Sequence, residues 1–225
     1  MRAEDVFSPP WGNMGVVSTP PPFRPPRQRR SAQTLDRIVT ATEELLSERA
    51  FERATVDDIV ARAGSSKGSF YARFADKEAL LAYVGEDALE RAKQSYTQHL
   101  DPKALSDVPL RTILDRFIGR IVEGYRTSPP VLRALFIESR LHPQAEFARM
   151  TRELDAHVTK MLERLLRQRS GERTHPSPAK AASYAMLLVD TTAREAVLFA
   201  GSPPERDAEL RRELARALAG YLGVS

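Results

Sequence analysis

Three clusters in this chain carry residue types that could do chemistry. Gly64-Ser65-Ser66-Lys67-Gly68 satisfies the G-x-S-x-G spacing of a hydrolase nucleophile elbow. Ser177-Pro178-Ala179-Lys180 satisfies S-x-x-K, a second nucleophile pattern. The four histidines, His99, His142, His157 and His175, are the imidazoles available for acid–base work or metal ligation. Each reading fails on context. An elbow requires a strand before the turn, and the residues before Gly64 instead repeat apolar side chains at helical spacing. A serine followed by proline reads as a helix cap and its first helical position. The histidines show no H-E-x-x-H or comparable spacing, and there is no cysteine to complete a ligand set. The chain is therefore read as non-enzymatic, with no metal site and no cofactor.

The Gly64 cluster has a second use, as the turn between two helices. Val56, Ile59, Val60 and Ala63 form one apolar stripe. Thr55 is placed to cap the amides of Asp57 or Asp58, and Asp58 sits where a capping box puts its returning acid. Gly64 supplies the positive φ that a residue just past a helix end often needs. A short helix over 66–74 follows. Two short helices around a glycine turn are the sequence form of a helix-turn-helix. Phe70 and Phe74, four apart, then face Ile38, Leu45, Ile59 and Val60, which leaves Lys67, Ser69, Ala72 and Arg73 outward. Small residues and two cations on an exposed helix face suit a DNA major groove.

The elements that must position this unit are helical. Apolar residues recur at three and four from residue 31 onward, with no alternating run of the kind a strand requires. A first helix is predicted over 34–49, burying Ile38, Ala41, Thr42, Leu45 and Leu46. A connecting helix is predicted from Asp76 to about His99. Further helices are expected at about 109–126, 130–142, 145–169, 178–200 and 204–222. The fold class is all-α: an N-terminal three-helix helix-turn-helix unit suited to DNA binding, and a C-terminal helical domain. The expected division is a disordered Pro/Arg-rich tail over 1–30, a DNA-binding domain over 31–82 with its connecting helix to about 99, and a helical domain over 100–225. Arg24, Arg27, Arg29 and Arg30 at the end of the tail could serve as a minor-groove arm or simply remain solvated.

The run from Thr55 to Leu80, TVDDIVARAGSSKGSFYARFADKEAL, resembles the DNA-binding signature of the tetracycline-repressor (TetR) family, densely and in order over about residues 34–82. Two positions depart from the pattern. Ser65 stands where the family has an apolar residue after the turn glycine, and Ala72 where it has a larger, often aromatic one. The resemblance implies that Lys67, Gly68, Ser69 and Ala72 approach base edges of a double-stranded, palindromic operator, while Thr55, Tyr71, Arg73 and Lys77 hold phosphates. It further implies a small-molecule effector enclosed by the C-terminal helices, with Phe117, Tyr125, Phe136, His157, Met161 and Tyr184 as the expected lining. The last two helices, carrying Ala181, Ala185, Leu188, Val189, Thr192 and Ala196, then Leu210, Leu214, Leu218 and Leu222, would pair with their copies in a homodimer. The implied function is a sequence-specific regulator, in the family's common mode a repressor released from its operator by ligand.

Charge and composition permit this without demanding it. Formal net charge is +4, hydrophobic residues make up 42% and charged residues 28%. Residues 31–99 carry nine basic against twelve acidic side chains, so a DNA-binding face must concentrate its cations and turn its acids away. Absence of cysteine fits a reducing compartment. No stretch approaches the roughly 20 apolar residues of a membrane span, and the N-terminus lacks the apolar core of a signal peptide, so a cytoplasmic protein is expected. The competing class is a helical dimeric adaptor that never touches DNA; salt dependence separates the two.

Overall fold

The computed structural model describes residues 29–101, 103–142 and 146–224. The expected tail, with Arg24 and Arg27, lies outside them, apart from its last two residues. Within the described residues the chain forms α1 (Arg29–Glu48), α2 (Val56–Arg62), α3 (Lys67–Tyr71), α4 (Lys77–His99), α5 (Leu110–Arg126), α6 (Pro129–Leu141), α7 (Glu146–Gln168), α8 (Pro178–Arg194) and α9 (Asp207–Leu222), and no β-strand. The helix expected from Thr34 starts five residues earlier, at Arg29, although its first buried residue is Leu35. No helix among the described residues is long and apolar enough to cross a membrane.

Helix ends follow local chemistry. Thr55 accepts from the Asp58 amide at 3.1 Å, and Asp58 Oδ2 accepts from the Thr55 amide at 3.0 Å, completing the predicted capping box. Ser66 caps α3 through the Ser69 amide at 3.1 Å, and Asp76 caps α4 through the Ala79 amide at 2.7 Å. Ser177, from the S-x-x-K cluster, accepts from the Lys180 amide with Pro178 in the first turn, which is the capping role. Gly64 turns the chain with φ of 56°. The continuous helix expected over 178–200 is interrupted: α8 ends at Arg194 and a π turn runs over Glu195–Phe199, where the Ala200 amide reaches the Glu195 carbonyl at 2.8 Å.

Helices α1, α2 and α3 pack around Ile38, Leu45, Ile59, Phe70 and Phe74, all essentially buried. Rings continue this core into α4: Phe70 and Phe74 lie 5.6 Å apart, and Phe74 and Tyr83 5.7 Å. Removing such a phenylalanine costs about 3–5 kcal/mol, so α3's attitude is set from behind. In the second half α5 is central, buried by α8 and α9, while α7 packs on α4 and α8. α6 touches both α1 and α4, joining the halves. Arg126 fastens α5 to α9, donating to both Asp207 oxygens at 2.6 and 3.0 Å and to the Ser202 carbonyl at 2.7 Å.

The faces expected to pair between copies are corrected here. Ala181, Ala185, Val189, Leu218 and Leu222 are fully buried within the monomer, and Leu214 nearly so. α5 packs on both helices and α7 on α8, and together they take up those stripes. The apolar surface left outside α8 and α9 belongs to other residues. Tyr184 is 46% and Leu187 61% exposed, and the Tyr184 ring lies 4.5 Å from that of Tyr221.

Candidate nucleic-acid interface and internal cavity

Helix α3 presents Lys67, Gly68, Tyr71 and Ala72 to solvent, with Ser69 half-buried among them. Phe70 is the residue that anchors the helix, so its outward face is fixed by one buried ring and the Ser66 cap. Tyr71 is 53% exposed and stacks edge-on against Phe70 at 5.3 Å. Lys67 pairs with Asp57 at 2.7 Å, both side chains open to water. Exposed pairs of this kind are weak and readily exchanged for a stronger anion. The pair raises the Lys67 pKa, first through its hydrogen bond to Asp57. Gly68 leaves open space where a side chain would stand, with Ser66 Oγ as the nearest neighbour at 3.8 Å.

Acids that burden this half in the sequence are turned onto its own cations. Arg62 donates to both Glu48 oxygens at 2.5 and 2.9 Å, and Arg49 lies 3.3 Å from Asp58. Asp58 stays well below the usual carboxylate range, held first by the Thr55 backbone amide and then by its hydroxyl.

Three expected phosphate ligands are already engaged. The Thr55 hydroxyl donates to Asp58 Oδ2 at 2.8 Å. Arg73 is half-buried, with Nη1 donating to the Ser69 carbonyl at 2.5 Å. Lys77 departs furthest from expectation. Its ammonium donates to the carbonyls of Phe51, Glu52 and Ala54 at 3.0, 3.4 and 3.1 Å and lies 4.5 Å from the centroid of the Phe51 ring. An ammonium has three protons, and all three are committed to the protein. Asp76 moreover takes up the Ala79 amide, one of the α4 donors that would have drawn a phosphate. Lys77 is corrected to a brace between the Phe51–Arg53 turn and α4. Ser65, the departure noted in the sequence, buries its hydroxyl oxygen without a hydrogen-bond partner.

The second half encloses a cavity of about 390 Å³ between α4, α5, α6, α7 and α8. Tyr125 and Phe136 line it as expected. The other four expected residues do not. Phe117 is buried behind Tyr96, whose ring lies 6.4 Å away. His157 bonds Thr97 across α4 and α7 at 3.3 Å. Met161 packs on the core, and Tyr184 lies on the outer face. The sequence reading missed Tyr96, Phe147, Asp155 and Asp190.

Arg91, Ser95, Arg120, Glu123 and Thr151 stand in the wall beside Tyr96, Tyr125, Asp155 and Asp190. Tyr125 donates its phenolic proton to Asp190, and Arg194 bonds the other Asp190 oxygen at 2.7 Å. Burial, with the Asp190 charge behind it, pushes the Tyr125 phenol far above its usual range, keeping it a donor. Burial likewise raises Tyr96. Asp155 is pushed up to about 6, first by burial and then by the Asp190 charge, against the opposing pull of Arg194. Arg194 also lies 5.0 Å from the centroid of the Phe136 ring.

A family model described as bacterial regulatory proteins, tetR family, matches residues 38–84, and one described as tetracyclin repressor-like, C-terminal domain, matches residues 109–222. An uncharacterized HTH-type transcriptional regulator of Bacillus subtilis (strain 168), YvdT, is 33% identical over 61 residues, which is 27% of this chain and 31% of that relative. The chain thus spans about a third of that curated relative's length. Among solved structures, Salmonella enterica GusR superposes with a TM-score of 0.62 at 22% identity, over 84% of this chain and 95% of the other. A tetR-family regulatory protein from Rhodococcus RHA1 gives 0.68 at 17% identity, over 85% and 98%. At these identities the likeness is one of fold.

Proposed function

The chain belongs to the TetR family of DNA-binding transcriptional regulators, and we propose that it works as a homodimeric repressor whose α3 reads the major groove and whose cavity binds a small molecule that releases it. The observation that carries the reading is the outward face of α3. Lys67, Gly68, Ser69, Tyr71 and Ala72 are held rigidly by Phe70 yet have only weak surface ties of their own. Lys67, Gly68, Ser69 and Ala72 meet base edges, the small Ala72 favouring a thymine methyl. Tyr71, Arg73 and Thr55 sit at phosphates, and Lys77 positions the unit from behind. Two copies joined through α8 and α9, with Tyr184, Leu187 and Tyr221 at the contact, place two recognition helices about 34 Å apart on a palindromic site.

Ligand in the cavity acts through α4. This helix contributes Leu89 and Tyr96 to the cavity wall and begins, at Lys77, against the turn that braces the DNA-binding unit. A ligand that prefers one α4 attitude shifts the spacing of the two α3 helices, with a typical coupling of about 1–3 kcal/mol in each direction.

Equilibrium binding to duplex DNA, titrated against salt, tests the DNA half. Log K should fall linearly with log salt, by about 0.9 per phosphate neutralised. A dimeric, folded protein with no salt-sensitive DNA complex would favour the adaptor class.

A further inference from the structure

The cavity described above holds, among the described residues, one carboxylate with neither a hydrogen bond nor an ion pair. Three carboxylates line the cavity: Glu123 pairs with Arg120 and Arg211 at 3.7 and 3.8 Å, and the other two differ in kind. Asp190 is satisfied by the Tyr125 hydroxyl and the Arg194 guanidinium. Asp155, on α7, is half-buried at the cavity wall and has no hydrogen bond or ion pair among the described residues. The cation nearest in role, Arg194, is already spent on Asp190 and the Phe136 ring. Arg91 and Arg120 also line the cavity; Arg91 is engaged elsewhere, and Arg120 is 43% exposed and bound to His99 Nε2 at 2.7 Å, with Glu123 at 3.7 Å. A half-buried carboxylate that accepts no hydrogen bond, with Asp190 beside it and Arg194 shared with Asp190, is costly to ionise.

Building on the ligand-sensing reading, we propose that the cavity takes a hydrophobic amine or quaternary ammonium, whose cation pairs with Asp155 while its apolar body lies against Tyr96, Phe136 and Phe147. Three features converge on that class. The volume, about 390 Å³, is at the lower end of small-ligand sites, roughly 300–1,000 Å³. The rings offer π faces, which attract cations. An anionic ligand would bring a third negative charge beside Asp155 and Asp190, and a neutral one would leave Asp155 uncompensated.

The test uses the full chain and three probes sharing one naphthalene body: the naphthylmethyl trimethylammonium ion, naphthylmethanol and naphthylacetate. Binding is followed at neutral pH by calorimetry. The cation is expected to bind about tenfold or more tighter than the alcohol, with the acid weakest, the scale one desolvated charge pair supplies. Asp155→Asn should remove that preference and leave the alcohol's affinity unchanged, while Asp155→Glu restores part of it. Equal binding of all three probes, or a cation preference that survives Asp155→Asn, overturns the amine assignment while leaving the sensing reading standing. No binding of any probe overturns both at this cavity. The wild-type comparison of probes needs no variant to fold.

Discussion

A Cβ placed on Gly85 would stand 2.7 Å from Cδ2 of Phe147 and 2.9 Å from both Cδ atoms of Leu135. Gly85 lies in α4, and Phe147 lies in α7 with its ring also lining the cavity. One ring therefore feels both the helix that leads to the DNA-binding unit and whatever occupies the cavity. Phe147 and Leu135 are both buried, so neither can swing clear. Gly85→Ala should destabilise the protein by about 1–3 kcal/mol through overpacking, read from the denaturant midpoint. Adding Phe147→Leu should recover part of the loss, a coupling that a double-mutant cycle measures. Strict additivity of the two changes would sever the link.

Lys77 and Tyr71 should separate stability from recognition. Lys77→Met keeps the aliphatic stem but strips donors from three carbonyls, so unfolding should become easier by about 1–3 kcal/mol. DNA affinity should fall alike on every sequence. Tyr71→Ala, at an exposed position, should alter stability by no more than about 0.5 kcal/mol while weakening DNA binding. Wild-type stability in Lys77→Met would return that lysine to the role of a free phosphate ligand.

Asp155 predicts a pH dependence of stability. Its folded-state value of about 6 lies above its ordinary 3.8, so the folded protein holds this proton more tightly than the unfolded chain. The stabilisation linked to that proton is fully present below about pH 4 and is lost as pH rises through about 6, for a total of about 3 kcal/mol at most. Asp190, Arg194, Tyr96 and Tyr125 are the groups surrounding it. Asp155→Asn should thus be more stable than wild type at neutral pH, and the advantage should vanish toward pH 4 in paired urea titrations. A constant difference across that window would show that Asp155 does not titrate as described.

What could be read in the sequence was local. Thr55, Asp76 and Ser177 mark helix starts because a side-chain oxygen three residues from an amide is a short-range fact, and Gly64 marks a turn for the same reason. α1's start carried no such mark. The outward face of α3 was legible because Phe70 and Phe74 leave one side. Lys77 was misassigned because its carbonyl partners lie more than twenty residues away, in a turn whose return toward α4 no periodicity records. The cavity was half legible. Phe117 and Tyr125 both belong to the buried side of α5, and only the crossing of α4, α7 and α8 decides which borders a void. The missed signal was acidic: Asp155 follows Thr151 by four, and Asp190 follows Met186 by four, each an acid in phase with a buried stripe.

The central claim is that α3 reads base sequence from a two-fold dimer. Selection of bound sequences from a random duplex pool at near-physiological salt tests it most directly, run in parallel with Tyr71→Ala, Lys67→Ala and Ser69→Ala. The account predicts a palindromic consensus with half-sites about one helical turn apart, lost in Tyr71→Ala and changed in its preferred bases in the other two. A folded dimer that enriches no sequence, or variants that all select the wild-type consensus, would contradict it.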